Sequence, residues 1–425
     1  MELPRAPPSP LIVGKQFDNM KQLKLAVKKV ALFDNFEIKV SHSDKSQYCV
    51  ICDSDVCDWL LTAKTIMGEG STSTVEIRRV GDMHTCGGVK HEGHKQATAA
   101  FMGAYIEEKI QHNSKYPPKD IINDICLMFG VVYTYQQAWR AKEVALAAIY
   151  GSFKDAFNAL PQYCRDIKQN NPDSTVVLEL LTEEHRFRRM FVCYSACASG
   201  FHFCRPVLGL DGTHLKSKYQ GILLAATSVD AAGALFPLAY AVVDAENDDN
   251  WLWFIRQLHK IIEAHAVTYL VPGVLTILSD CQKGLIEGVE AVFPHSPHGY
   301  CLRHLWDNMH KEFKNKNLRE HLWKAARALT INDFNNALKE MENIDKRSVR
   351  WLLKTAPAKY WADLYFLGCR YGHLTSNIAE SLNSWILEAQ EMPILGMFEK
   401  IRHQLMQRYI SYFPLFTLDL LPDVK

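Results

Sequence analysis

The chain has 425 residues, 48% of them apolar and 22% charged, a composition that excludes wholesale disorder and has length for roughly two to four domains. Lys plus Arg number 48 against 47 for Asp plus Glu, a net charge of +1, so a polyanionic partner must be met by local patches. The start, MELPRAPPSPLIVGKQ, is proline-rich and lacks an apolar run, so no secretory signal is expected. With no such signal, the 12 cysteines read as reduced thiols and candidate metal ligands.

In chain order, residues 1–14 read as a flexible leader and 15–95 as a small zinc-binding β domain, opened by a helical pattern from Phe17 to Leu32. Here Cys52-x4-Cys57 and His84-x-Cys86, separated by 26 residues, offer four ligands in two close pairs, which suits a tetrahedral structural Zn²⁺. The strand-like TVEIRRV lies between the pairs. Cys49 is a competing ligand, and His91 and His94 are spare donors.

Residues 96–190 read as a helical domain: Thr98 to His112, then Ile121 to Met128, a break at Gly130, and Tyr135 to Ile149. Pro117 and Pro118 mark a helix start. The last two helices read either as a plain hairpin or as a helix-turn-helix presenting Gln136, Gln137 and Arg140 to DNA.

From about residue 200 to 425 the pattern changes. PVLGLDGTHL, GILLAATSVD and LFPLAYAVVDA have strand length and turn residues at their ends. Asp230, Gly233 and Pro237 interrupt the longest apolar stretch, 221–243, so two strands and a turn are expected there and no membrane span. NWLWFIRQLHKIIEAH has helical spacing, with Asn250 or Asp249 as N-cap and Trp251 and Trp253 as core anchors. VLTILSD is a fourth strand, LIEGVEAVF a helix and HGYCL a fifth strand; a helical insertion follows, about 305–365. The order β-β-β-α-β-α-β-α is that of a mixed α/β, ribonuclease H-like core.

Two acids stand at strand ends, Asp211 after Val207–Leu210 and Asp280 after Leu275–Leu278. Buried acids at such positions need a partner or a metal, and paired carboxylates suit Mg²⁺. Taken singly, each also suits a turn. Glu246 and Asp249 read as acids complementing the start of the following helix rather than as ligands.

The stretch from LGLDGTHLKSKYQG through SDCQKGL and CLRHLWDN to TSNIAESLN closely resembles the transposase domain of Mutator-like elements. The resemblance implies a ribonuclease H-like fold with an Asp-Asp-Glu site that holds two Mg²⁺ or Mn²⁺ ions. Asp211 and His214 match the family's Asp-x-x-His motif, Asp280 its Ser-Asp-x-Gln-Lys-Gly run, Cys301 and His304 its Cys-x-x-His motif, and Glu380 its third acid. The acids lie 69 and 100 residues apart, and the second gap has room for the helical insertion. His214 and His304 are then candidate catalytic assistants or structural histidines; Cys301 and His304 as a zinc half-site would need Cys281 and His298.

The amino-terminal segment resembles the Mutator-type DNA-binding domain related to WRKY and GCM zinc fingers, through Cys57, Trp59 and His84-Thr85-Cys86. That likeness implies a strand in the major groove and makes Arg78 and Arg79 DNA contacts. Arg140 and a basic run containing Lys311 and Lys314 are further candidates.

The implied function is a DDE transposase that binds terminal inverted repeats and target double-stranded DNA. It would act in the nucleus as a homo-oligomer on DNA, with no membrane partner. The alternative is a domesticated or truncated DNA-binding transcriptional regulator that no longer cuts. It is prompted by the final cysteine at Cys369, after which the family's zinc-binding SWIM module is not expected.

Overall fold

A computed structural model describes residues 9–67, 73–89, 93–113, 116–181, 186–375 and 377–412. It is a mixed α/β structure with two sheets, and the chain divides into two compact units, 1–152 and 153–425.

The first unit opens with β1 (Gln16–Phe17) and α1 (Met20–Phe33), followed by β2 (Ile38–Ser43), β3 (Gln47–Cys52), β4 (Leu60–Met67) and β5 (Ser73–Val80). The strands form an antiparallel sheet in the order β1-β5-β4-β3-β2. Helix α1 starts where the Asn19 side chain accepts the Gln22 N–H, filling one of the donors a helix start leaves open. Its buried Leu23, Val27 and Ala31 share a core with Tyr48, Val50, Leu61 and Ile77. Each such aliphatic side chain contributes about 1.5–3 kcal/mol by leaving water.

Three helices complete this unit: α2 (Ala99–His112), α3 (Pro118–Phe129) and α4 (Tyr135–Tyr150). Pro118 opens α3, where a missing N–H costs nothing, and Gly130 closes it at φ +67°, a left-handed conformation that glycine adopts freely. Thr134 and Gln137 cap α4 reciprocally.

The second unit begins with α5 (Phe153–Asn170), β6 (Thr175–Leu181), β7 (Arg186–Cys193) and α6 (Ser195–Phe201). Next come β8 (Val207–His214), β9 (Ile222–Val229), β10 (Leu235–Val243) and α7 (Asp248–His265). Then follow β11 (Thr276–Ser279), α8 (Lys283–Val292), β12 (His298–Tyr300) and four helices: α9 (Leu302–Phe313), α10 (Leu318–Arg327), α11 (Ile331–Ile344) and α12 (Ser348–Thr355). Helices α13 (Asn377–Trp385) and α14 (Ile394–Tyr412) come last.

The sheet order is β12-β11-β8-β9-β10-β7-β6. Strand β9 runs antiparallel to both β8 and β10, while β11 joins β8, and β12 joins β11, in parallel through helical crossovers. Phe191 of β7 packs on Phe254 of α7, and Tyr240, cross-strand partner of the adjacent Val192, packs on Phe398 of α14. Successive strand residues face opposite sides, so α7 and α14 cover opposite faces. Helices α9 to α12 gather around a separate core that includes Leu305, Met309, Leu322, Phe334 and Trp361.

Three expectations are corrected. Residues 175–193, read as helical, supply the paired strands β6 and β7. Arg189 lies opposite Glu179 and bonds it at 2.7 Å, with Asp249 of α7 at 2.9 Å. The charge is therefore spent across strands. The N-cap of α7 is Asn247, which accepts the Asn250 N–H, and neither Asn250 nor Asp249. The basic run 311–327 is no single helix, because Lys314 ends α9 in the left-handed region.

Among the described residues, no helix is long and apolar enough to cross a membrane.

Candidate functional site

Strand β8 carries Asp211, whose neighbour on one side is Ala225 of β9. On its other side β11 pairs in parallel, with Leu278 opposite Gly209. Asp211 and Asp280 each lie two residues beyond that pair, Asp280 just past the end of β11. The Gln282 N–H donates to Asp280 Oδ1 at 3.1 Å, fixing that carboxylate at the turn into α8. Asn383 of α13 donates through Nδ2 to Asp211 Oδ2 at 2.7 Å. Glu380 belongs to the same helix, three residues earlier; its side chain lies outside the described residues.

His304, in the first turn of α9, is raised to about 9, chiefly by its hydrogen bond to Cys301, with Asp211 and Asp280 adding to the shift. The two aspartates therefore lie within electrostatic reach of this imidazole. His214 ends β8 and is exposed. Cys301 is buried at the start of α9. A zinc set with Cys281 and His298 does not form: His298 Nε2 bonds Ser279 Oγ at 2.7 Å, and the metal-type cluster among the described residues lies elsewhere.

Glu246 was read as a helix-start acid. It precedes the Asn247 cap, outside the helix, and turns inward. A methyl group on Gly212 would sit 3.0 Å from Glu246 Oε1, so the carboxylate closes on the backbone next to Asp211. Burial raises its pKa, and the like charge of Asp280 raises it further, with His214 opposing. Trp251, only 1% exposed, donates from Nε1 to Glu246 Oε1 at 3.3 Å and to Gln282 Oε1 at 2.7 Å. The sequence reading gave Glu246 only a helix-start role and Trp251 only a core role, and gave Gln282 and Asn383 none. Both of the latter left a trace, Gln282 in SDCQKGL and Asn383 three residues after Glu380 in TSNIAESLN.

In the first unit, Cys52, Cys57, His84 and Cys86 each offer a ligand atom, all within 4.8 Å of one another. Cys52 ends β3, Cys57 follows in the turn before β4, and the other two follow β5. The Cys52 and Cys86 sulfurs lie 3.7 Å apart, and Cys57 Sγ lies 3.4 Å from His84 Nδ1. A tetrahedral zinc with 2.3 Å thiolate bonds has ligand–ligand edges of about 3.8 Å, so this is a candidate Cys/His zinc site. The His84 ring lies against Phe36 and stacks on Trp59, centroids 3.7 and 4.6 Å away, and burial lowers its pKa, which favours the neutral, ligating imidazole. Cys49 stays outside the cluster, paired opposite His42. His94 accepts the Gln96 N–H through Nδ1, and His91 lies outside the described residues.

Arg78 and Arg79 are exposed at the end of β5, where a bulge leaves Arg78 between the pairs Ala63–Ile77 and Thr62–Arg79. Arg78 also meets Glu76 at 2.9 Å. Arg140 is exposed on α4 beside Gln136 and Trp139, and Lys311 and Lys314 are exposed at the end of α9.

Residues 207–308, from β8 into α9, match the model of the MULE transposase domain, and residues 10–72 match that of the MuDR family transposase. Two separate stretches of the chain therefore support a Mutator-like transposase. The first match contains Asp211, His214, Glu246, Asp280, Cys301 and His304, and ends before Glu380. The second contains Cys52 and Cys57 of the cysteine–histidine cluster. DNA binding by this Mutator-like transposase follows from its MuDR domain. No curated protein sequence matches the chain.

Proposed function

We propose that this transposase is a DDE enzyme that cuts and joins DNA at a metal centre built on Asp211, Asp280 and Glu380. The observation that supports the reading is the parallel β8–β11 pairing, since Asp211 and Asp280 each follow its last pair, Gly209 with Leu278, by two residues. Like charges held together at a strand edge fit hard divalent cations such as Mg²⁺ or Mn²⁺, which take carboxylate oxygens. The β8-β9-β10 meander, extended in parallel by β11 and β12, supports assignment of the core as ribonuclease H-like.

Two bound ions would supply the charge that activates the attacking oxygen and offsets the leaving one at a phosphodiester. The chain's own part is positional. Asn383 holds one Asp211 oxygen, and the Gln282 N–H holds one Asp280 oxygen, which fixes the orientation of both carboxylates. His214 and His304 present imidazoles at the same edge, suited to steadying the scissile phosphate. Water is the nucleophile for cleavage, and a DNA 3′-OH for strand transfer.

Terminal inverted repeats are bound by the first unit, with Zn²⁺ on Cys52, Cys57, His84 and Cys86 bracing the strand that carries Arg78 and Arg79. Arg140, Lys311 and Lys314 supply further phosphate contacts. The bulge at Arg78 supports this reading, since bulges re-aim side chains. Action on two element ends calls for a homo-oligomer, and the substrate for a nuclear location.

The test is incubation of the full chain with supercoiled DNA bearing terminal repeats and Mn²⁺. Nicking that disappears in Asp280→Asn supports the enzyme. Repeat binding without nicking by the wild-type chain refutes the cutting mechanism and leaves a DNA-binding regulator.

A further inference from the structure

A cleft of about 720 Å³ opens in the second unit where β9 starts and β10 ends. Its walls come from the first turns of α5 (Lys154, Phe157), the start of β7 (Arg186, Phe187) and the β8–β9 turn (Tyr219). That volume is in the range that holds a drug-sized ligand. Three aromatic rings from three separate segments meet there. Phe157 lies 5.1 Å from Phe187 and 5.6 Å from Tyr219, centroid to centroid, at interplanar angles of 61° and 78°. These are edge contacts, and Tyr219 stays 51% exposed. The turn that presents it is held by its backbone: the Ser217 carbonyl accepts the Gln220 N–H at 3.0 Å, and the Gly221 carbonyl accepts the Leu215 N–H at 2.9 Å. Gly221 has φ +113°, and a Cβ there would sit 3.0 Å from the Val243 carbonyl, so glycine lets the turn close on β10.

The charge around these rings is mainly positive. Lys154 and Arg186 line the cleft, and Lys218 Nζ lies 5.9 Å from the Tyr219 ring centroid. Among the described lining residues the one acid is Asp244, whose Oδ1 already accepts from Ala245 N at 3.0 Å and from Asn250 Nδ2 at 2.8 Å. Asn158 and Gln220 add exposed amides that can both donate and accept. Aromatic rings for a base, amides for its edge and cations for a phosphate are together the chemistry that recognises a nucleotide. The position fits as well. Ile222, next to Gly221, pairs with both His214 and Val243, and Asp211 pairs with Ala225, three residues further along β9. At about 3.4 Å per residue, the cleft lies roughly 10 Å along the sheet from Asp211, about three base steps of a duplex strand. A base inside a duplex is closed to side-chain rings, whereas an unpaired one can enter such a pocket.

We propose that this cleft binds one unpaired nucleotide of the substrate DNA, its base against Tyr219 and Phe157 and its phosphate beside Lys154 and Arg186. The assignment rests on the DNA-cutting reading above for its substrate. It adds a subsite that holds a base out of the duplex a few steps from the phosphate being cut.

The probe is a short single-stranded oligothymidylate carrying one 5-iodouracil. Photo-crosslinking to the full chain with peptide mapping, and fluorescence anisotropy over a salt series, test the assignment. The expected crosslink is on Tyr219 or Phe157. Tyr219→Ala should weaken binding about tenfold and Tyr219→Phe should retain it, both with the thermal midpoint of the wild type, because the ring is half exposed. Lys154→Ala should lower the salt slope by about 0.7. The proposal is overturned if the crosslinks map outside the cleft, or if Tyr219→Ala binds the probe as the wild type does. Displacement of the probe by polyglutamate as readily as by unlabelled oligothymidylate also overturns it, in favour of an acidic peptide. If the wild type nicks repeat DNA while its cleft stays unlabelled, this assignment alone falls. A labelled cleft in a chain that nicks nothing upholds the subsite and overturns the cutting reading alone.

Discussion

Acidification should weaken the strand pair that carries Asp280, through one buried histidine. His298 on β12 is 7% exposed, and its Nε2 lies 2.7 Å from Ser279 Oγ. The Ser279 hydroxyl donates to the Asp280 carbonyl at 2.8 Å, so Nε2–H is the donor to Ser279 and Nδ1 carries the lone pair. Burial lowers the pKa from 6.5 to about 4. The unfolded chain therefore takes up a proton near pH 6.5, while the folded chain resists until about pH 4. Stability contributed by the neutral imidazole is complete above pH 6.5 and falls as the pH drops through this window. A gap of about 2.5 units corresponds to about 3 kcal/mol. Urea unfolding of wild type and His298→Gln between pH 7 and pH 4 checks this, because glutamine cannot titrate and only the difference in slope matters. Hydrogen exchange at β11 and β12 should report the loss first. Parallel loss of stability in the two proteins across the window would refute the argument.

Other perturbations reach other parts of the molecule. Chelation by phenanthroline should release stoichiometric zinc and abolish repeat-DNA binding, with Cys57→Ser doing the same; full binding by a metal-free chain, checked by atomic absorption, would contradict the zinc assignment. Gly103→Ala places a methyl 2.7 Å from Val144 Cγ1 and 2.9 Å from the Ala141 carbonyl, and the backbone atom cannot yield, so a loss of about 1–3 kcal/mol is expected in urea unfolding. Asp363→Ala leaves the 5%-exposed Arg370 with the Trp361 carbonyl at 2.9 Å in place of its ion pair. It should cost about 1–3 kcal/mol by the same measurement, more than Arg370→Met. Asn383→Ala frees the Asp211 oxygen it holds, and should lower the nicking rate while leaving DNA binding, measured by gel shift, unchanged.

What the chain states locally was legible. Short apolar runs with turn residues at their ends marked β8, β9, β10 and β11, and proline and glycine marked both ends of α3, because those residues act on their own backbone. The two close cysteine and histidine pairs announced a cluster, since chelation from a turn is a near-neighbour property. The pairing of β6 with β7 was not legible, because the partners of Arg189, Glu179 and Asp249, come from a facing strand and a later helix. No short window contains the parallel pairing of β11 with β8, for it depends on a crossover of more than sixty residues. The inward turn of Glu246 was equally hidden. Its sequence neighbours describe a helix start, and only the packing of Gly212, Trp251 and Gln282, drawn from three separate segments, gives that carboxylate its direction. Local sequence therefore wrote the elements and the close ligand pairs, while long-range burial and pairing decided which acids face one another.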